Sequence, residues 1–400
     1  MIAIHLDESR YERLQQISWW RQDVLTRARV LVMGAGALGN EILKNLALLG
    51  VGRIVVVDSD RVELSNLSRS LLFRADDVAR PKAEVAARRL REINPDVRVA
   101  PIVGDLRWAV GLGLIRRMDV VLAGLDSVGA RVDLNQMCWR AGVPWIDGAL
   151  DHLSGTMRTF VPPGEACYEC NLSQQDYQRL SARYSCGLLP RDAAVLAGVP
   201  TAPTVAAMIA AWQVEEAVKW LHGHPKVGGE GISCYGLTHS FHRLRYRRRE
   251  GCLAHESLGE VVPMPAATHH TTVGQMAELL RDQLGVEVVI ELDREVAWAM
   301  SCPRCGARDE APRPLFGLDH REARCPRCGN QRELHLTHGL DDRAAWRDLS
   351  LAELGVPPLH ILVARQAGGD RRWSFELTGD TLDGPLAEFL ADGENHHEHP

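Results

Sequence analysis

The most regular hydrophobic pattern in the chain begins at Arg29. Residues 29–33 form a short apolar run, and Gly34, Gly36 and Gly39 follow at the spacing G-x-G-x-x-G. Leu38, Ile42, Leu46 and Leu49 then recur at helical spacing, which turns one stripe of a helix toward a core. Gly50 and Gly52 stop that helix, and 53–58 is a second apolar run ending in Asp58. Lys82 opens another helix just after Pro81. Its stripe is Ala83, Ala86, Leu90 and Ile93, and Asn94–Pro95 closes it. Strands are expected at 96–103, 118–123 and 143–146, with a helix over 130–141. This alternation predicts an α/β fold, a Rossmann-like, mainly parallel sheet covered by helices.

Open sheets of this kind bind ligands at the carboxyl ends of their strands. The glycine turn, Asp58, Asp60 and Asp126 all fall there, and Asn66, Arg69 and Lys82 lie on connections that converge on the same crevice. Strand, glycine turn, helix, strand and acid make a mononucleotide-binding unit. The glycines let backbone approach a phosphate, and the helix N-terminus offers unpaired N–H groups. A dehydrogenase also carries such glycines. It would leave the Asn–Arg–Lys–Asp set unused, and no acid or base for a hydride step is apparent.

The pattern changes toward the C-terminus. Residues 257–272 carry Pro263, Pro265 and paired alanines and histidines, the composition of a linker. An amphipathic helix (273–284), a strand (287–292) and a hairpin, LHILVAR–QAGGD–RRWSFEL, follow. The expected division is an N-terminal helical arm (1–28), a nucleotide-binding domain (29–256), the linker (257–272), a smaller C-terminal α/β domain (273–390) and a disordered tail (391–400).

Cysteine spacing adds chemistry. Three C-x-x-C pairs occur: Cys167/Cys170, Cys302/Cys305 and Cys325/Cys328. The last two pairs, 19 residues apart, have the spacing of a zinc ribbon, in which four thiolates close a structural tetrahedron. The N-terminus lacks a basic, apolar leader, so a cytoplasmic protein with metal-bound rather than disulfide-bonded cysteines is expected. The uncharged stretch 193–214 is broken by Gly198, Pro200 and Pro203, which argues for a buried helix and against a membrane span. With 46 basic and 52 acidic residues the net charge is −6, so the whole molecule is no electrostatic trap for nucleic acid.

GAGALG, VDSDRVELSNLSR, ARPK and GLDSV, in that order, resemble the ThiF/MoeB/HesA adenylyltransferases of the ubiquitin-activating-enzyme superfamily, from about Arg10 to about His255. The resemblance implies ATP and Mg²⁺ as cofactors. Asp58 would hold the ribose, Asn66, Arg69 and Lys82 the phosphates, and Asp126 the magnesium. RYER is similar to the family's RYxRQ arm, which makes Arg13 an arginine finger reaching the other subunit's ATP and implies a homodimer. This chain reads RYERLQ there, and Ser70 stands where the family has Gln. Relatives hold a zinc between two C-x-x-C pairs. Here Cys167 and Cys170 would be completed by Cys252 and His255, with Cys234 as the substitute for the histidine, so that two Zn²⁺ are expected in all. In thioester-forming relatives a crossover cysteine takes the acyl group. Cys186 is the candidate, its thiolate favoured by Arg183 or Arg191.

The function expected first is therefore ATP-dependent activation of a ubiquitin-like protein at its C-terminal glycine, with a thioester on Cys186 and transfer to a conjugating enzyme. This resembles activating enzymes of bacterial ubiquitin-like conjugation operons linked to phage defence. The second expectation is adenylation of a sulfur-carrier protein for thiamin or molybdopterin synthesis. A third, ranked low, is nucleic-acid binding through Arg304, Arg308, Arg313, Arg321, Arg324 and Arg327 around the ribbon, where acids interleave. The alternating Arg243, Arg245, Arg247 and Arg249 predict a basic strand face, either solvated or docked to an acidic partner.

Overall fold

The structure is a computed structural model that describes residues 9–178, 200–224, 228–315, 318, 322–341, 345–380 and 385–391. Cys186, Arg183, Arg191, Arg321 and the tail from 392 onward lie outside the described residues.

Strands β1 (Arg29–Met33), β2 (Arg53–Asp58), β3 (Arg98–Val103), β4 (Val120–Ala123) and β5 (Trp145–Asp151) pair in parallel in the order β3-β2-β1-β4-β5. Three antiparallel strands extend the sheet beyond β5: β6 (Ser154–Phe160), β7 (Glu230–Tyr235) and β8 (Ser240–Arg245). Parallel strands buried on both faces are apolar at every position, and side chains alternate between the faces. Val30, Val32, Ile54 and Val56 accordingly face α3 (Ala37–Leu49), α4 (Lys82–Ile93) and the long helix Pro203–Leu221. Leu31, Met33, Val55, Val57 and Trp145 face the opposite layer. That layer holds α5 (Leu106–Ala109), α6 (Leu112–Arg116) and α7 (Val128–Ala141). The apolar stretch near residue 204 is thus a core helix. Among the described residues no helix is long and apolar enough to cross a membrane.

The N-terminal arm forms two short helices, α1 (Glu12–Gln15) and α2 (Gln22–Arg27). Asn94 Nδ2 donates to the Tyr11 hydroxyl at 2.8 Å and to the Ala47 carbonyl at 2.7 Å, and Arg10 Nη1 donates to the Ile93 carbonyl at 2.8 Å. The Tyr11 ring covers Gly50, where a β-carbon would lie 2.4 Å from it. These contacts dock the arm at the C-terminal end of α3 and leave Arg13 exposed, with no partner among the described residues.

A second sheet is built from β9 (Val261–Pro263), β10 (Val288–Ser301), β11 (Arg308–Asp309), β12 (Arg313–Pro314), β13 (Glu333–Leu340), β14 (Ile361–Gln366) and β15 (Arg372–Glu376), with the path β11-β10-β14-β15-β9 and with β12 and β13 also paired to β10. Residues 257–272 differ from the expected linker. Val261–Pro263 is strand β9, which pairs in parallel with β15 (Arg372–Glu376). Three residues ending in proline are too few to show a strand period, and only the partner reveals them. Strand β10 (Val288–Ser301) runs well past the expected end at 292, with a register shift between Glu291 and Val296 against β13 (Glu333–Leu340). The charged residues at that irregularity reach the first sheet's helices. Arg140 on α7 pairs with Asp293, and Arg294 Nη1 donates to Asp133 Oδ1 of α7 at 2.7 Å. Glu376, buried at the end of β15, accepts from Arg116 at 3.2 Å and from Arg117. The Gly113 N–H donates to the Leu359 carbonyl at 2.9 Å.

Because Glu376 is enclosed while Arg116 is more than a third exposed, truncating the two should have unequal effects. Glu376→Ala removes the one buried carboxylate that both arginines share and should cost about 3 kcal/mol, whereas Arg116→Ala leaves Arg117 paired with it and should cost less than about 1 kcal/mol. Chemical denaturation of both variants checks this. Equal losses would contradict it.

Candidate nucleotide site and metal centres

The glycine turn joins β1 to α3. Gly34 adopts φ +93°, open to glycine and strained for other residues, and its N–H donates to the Val57 carbonyl at 2.8 Å. A β-carbon on Gly39 would lie 1.8 Å from the Gly34 oxygen, so only hydrogen fits there. At Gly36 the same addition would meet nothing within 4 Å, and Gly36 caps α3 without any side-chain hydrogen bond. The turn is closed on its inner side and open where a phosphate would approach the helix N-terminus.

Asp58, at the carboxyl end of β2, accepts from the Ala35 N–H at 2.7 Å on one oxygen and from the Asp60 N–H at 2.7 Å on the other. Burial pushes its carboxyl above the usual range, and these two N–H groups pull it back only in part. Asp60 in turn accepts from Lys82 Nζ at 2.9 Å, and the Lys82 N–H donates to the Asp60 carbonyl at 2.9 Å. Lys82 is buried and Asp60 exposed, so the ammonium is held at the rim of the crevice by its acidic neighbour. Asn66, on the 3-10 turn Leu64–Ser68, accepts from the Glu63 N–H at 3.0 Å, and its Nδ2 donates to nothing among the described residues. Arg69 Nη1 donates to the Ser65 carbonyl at 2.9 Å.

Asn40 is a site residue that the sequence reading missed. Fully buried on α3, it donates from Nδ2 to the Ala35 carbonyl at 2.6 Å and accepts from the Leu72 N–H at 2.8 Å. It ties the glycine turn to the segment that follows Asn66 and Arg69. The signal available was a polar residue beside the apolar stripe of α3.

Asp126 lies in the loop between β4 and α7, exposed and with no partner among the described residues. The loop begins at Gly124, whose carbonyl oxygen would lie 2.7 Å from a β-carbon on Gly34, so it packs against the glycine turn. Two further missed residues hold its carbonyls. Gln213 Nε2 donates to Ala123 O at 2.9 Å and to Ile146 O at 3.0 Å. Arg131 Nη2 donates to Leu125 O at 2.5 Å and Gly148 O at 3.1 Å, and its Nε to Asp147 Oδ1 at 2.8 Å. Arg158 Nε takes the other Asp147 oxygen at 3.0 Å. Asp147 is fully buried. Burial alone would push its carboxyl up, and the facing Arg131 and Arg158 hold it below the usual range instead.

The first cysteine cluster contains Cys167, Cys170, Cys252 and His255, with ligand atoms all within 4.8 Å of one another. Cys167 Sγ lies 3.7 Å from Cys170 Sγ and 3.7 Å from Cys252 Sγ, and Cys170 Sγ lies 3.3 Å from His255 Nε2. Tetrahedral zinc with bonds of about 2.3 Å separates its sulfurs by about 3.8 Å, so the donor set fits. His255 stacks on Trp139 with ring centroids 4.5 Å apart. Burial, then Arg248 and Arg249, lower its pKa, which favours the neutral imidazole that ligates metals. Cys234 is instead buried in β7 against the main core. Arg249 leaves the expected basic strand, which ends at Arg245, and its N–H donates to Cys170 Sγ at 3.3 Å. Arg243 and Arg245 both pair with Glu230.

The second cluster is Cys302, Cys305, Cys325 and Cys328. Its two CPRCG knuckles fold alike: the Gly306 N–H donates to Cys302 O at 2.9 Å and the Gly329 N–H to Cys325 O at 2.8 Å, both glycines at positive φ. Cross-knuckle sulfurs are 3.5 Å apart, again a zinc spacing with every position filled by protein. Nearby, Arg308 pairs with Glu310 at 2.8 Å and Arg313 with Glu322, which blunts the basic character expected for nucleic-acid binding.

The ThiF family profile matches residues 9–254, more than half of the chain. The chain belongs to the ThiF family. It is 32% identical over 250 residues to the sulfur carrier protein ThiS adenylyltransferase of Escherichia coli, covering 62% of this chain and 94% of that relative. Molybdopterin-synthase adenylyltransferase of E. coli is 35% identical over 233 residues, covering 58% and 88%. The SAMP-activating enzyme E1 of Haloferax volcanii is 40% identical over 169 residues, 42% of this chain and 62% of that enzyme. Among solved structures, E. coli MccB with ATP superposes with TM-score 0.51 at 24% identity over 62% of this chain and 75% of that one, a likeness of fold. The second sheet lies beyond the residues that the ThiF profile matches.

Metal analysis of the purified chain should find about two zinc ions per molecule, falling to about one in His255→Ala and in Cys325→Ser, each with a lowered melting temperature. Unchanged zinc in His255→Ala would remove that residue from the first centre.

Proposed function

We propose that this ThiF-family chain uses ATP to adenylate the C-terminal carboxylate of a ubiquitin-like or sulfur-carrier protein. The observation that carries the reading is the bonded series from the open glycine turn through Ala35 and Asp58 to Asp60 and buried Lys82, which places an ammonium at the rim of a nucleotide crevice. A carboxylate is ionised at neutral pH and needs no general base. Its oxygen attacks the α-phosphorus, the bond from that phosphorus to the bridging oxygen breaks, and the electron pair leaves with pyrophosphate. Charge gathers on phosphate oxygens, where Lys82, Arg69 and the amide of Asn66 would stabilise it. Asp126 would hold Mg²⁺, which neutralises phosphate charge when bound.

The finer reading is activation for conjugation. A thiolate at Cys186 would attack the acyl-adenylate carbonyl, AMP would leave, and the thioester would pass to a conjugating enzyme. The second reading, sulfur-carrier adenylation, draws on the E. coli relatives aligned over most of their own length. A modifier–lysine isopeptide product supports the first, and a thiocarboxylate the second.

The homodimer reading has geometric support. The arm docks at the C-terminal end of α3, and the glycine turn lies at the other end of that 13-residue helix, about 20 Å away. Arg13 is therefore far from its own chain's crevice, and a role at ATP requires a second copy.

ATP–pyrophosphate exchange with candidate modifiers bearing free C-terminal glycines tests the activity. Lys82→Ala should lower kcat/KM by about 10² or more. Mixing inactive Lys82→Ala with inactive Arg13→Ala should restore part of the exchange, because one hybrid site then carries both side chains. No recovery would contradict a finger acting between subunits. Exchange that ignores the modifier's C-terminus would contradict the carboxylate as substrate.

A further inference from the structure

The β4–β5 ladder ends at the pair Ala123–Asp147, one residue short of the loop that carries Asp126. At that end and beyond it the two strands are also held by side chains. Gln213 bridges the carbonyls of Ala123 and Ile146, and Arg131 bridges the carbonyls of Leu125 and Gly148. Gln213 and Asp147 are fully buried and Arg131 is 8% exposed. Carbonyls on either side of Gly124 are thus fixed by buried donors, and the second is the carbonyl of the peptide bond into Asp126. A guanidinium can do this only if its plane is set. Asp147 sets it by taking Nε, while Arg158 occupies the other carboxylate oxygen and keeps Asp147 ionised.

A buried ion pair adds little net stability over an apolar replacement. Here the charges sit where a backbone must be held without a ladder, and the residue they hold is the exposed carboxylate at the crevice, without a partner among the described residues. The geometry points to Arg131 as the positioning residue for Asp126, with Asp147 and Arg158 as its orienting partners. Arg131 acts by fixing the peptide from which Asp126 projects. This inference rests on the reading of Asp126 as the Mg²⁺ ligand.

Manganese is the probe, because its electron paramagnetic resonance signal reports binding directly without turnover. The full chain, saturated with ATP, is titrated with Mn²⁺ as wild type, Asp126→Asn and Arg131→Lys. Lysine keeps the charge but cannot bridge the two carbonyls and Asp147 together. Arg131→Lys should weaken Mn²⁺ binding about tenfold, the usual effect of losing an outer-shell partner, with metal-free ATP affinity unchanged. A merely structural role would lower the melting temperature or the fraction of active sites and leave the Mn²⁺ affinity of the folded protein as in wild type, and that result overturns the positioning role. Mn²⁺ affinity unchanged in Asp126→Asn as well would overturn the reading of Asp126 itself, so the two failures are distinguishable. If Arg131→Lys does not fold, Asp147→Asn carries the same expectation and the same contradiction, because it removes the charge that orients the guanidinium.

Discussion

Helix α3 leaves strand β1 so tightly that a β-carbon on Gly39 would sit 1.8 Å from the Gly34 oxygen. That close approach is the constraint from which the rest of the crevice follows. It aims the uncapped end of α3 outward, brings the Ala35 N–H onto Asp58, and lets Gly124 pack against the turn so that the β4 exit loop runs beside it. Asn40, one residue beyond Gly39, then secures both the turn and the Leu72 segment. Asp58 and Lys82 sit at the ends of β2 and α4, whereas Asn66, Arg69 and Asp126 sit on connections, and buried polar groups tie the glycine turn, the Leu72 segment and the Asp126 loop to the core. Preorganisation of this kind suits chemistry in which charge moves on phosphate and little covalent assistance is needed.

The second sheet is joined to this arrangement through α7. Arg140 and Asp133 on that helix exchange charges with Asp293 and Arg294, at the irregularity in β10. The same strand runs on to Ser301, adjacent to Cys302 of the second cysteine cluster. One continuous strand therefore connects the ribbon to the helix whose N-terminus follows Asp126. The two knuckles, which a metal could join, lie at one end of β10, and paired charges hold its middle to α7.

Most of the first sheet was legible because its signals are local. Apolar runs, glycine spacing and the stripe of α3 each fall within a short window, and the C-x-x-H of Cys252 and His255 does come together in space with Cys167 and Cys170, a donor set that could hold zinc. What escaped were single polar residues whose partners are remote in sequence. Gln213 binds a carbonyl 90 residues away, and Asp147 gains its meaning only from Arg131 and Arg158. The apolar pattern of β10 breaks after Leu292, at Asp293, Arg294 and Glu295, although the strand continues to Ser301. The structure tolerates them there because the first two find opposite charges on α7. Strand β9 was hidden for the reverse reason, since a proline-ended triplet carries no period until β15 pairs with it.

The central claim is that the crevice at the carboxyl ends of β1, β2 and β4 holds ATP, with Asp58 as an anchor. Equilibrium ATP binding by wild type and Asp58→Ala tests it most directly. The account predicts saturable binding by wild type and a loss of about tenfold or more in the variant, as expected when a charged hydrogen-bonding partner is removed. Equal ATP affinity in the two proteins, or no binding by wild type, would contradict the account.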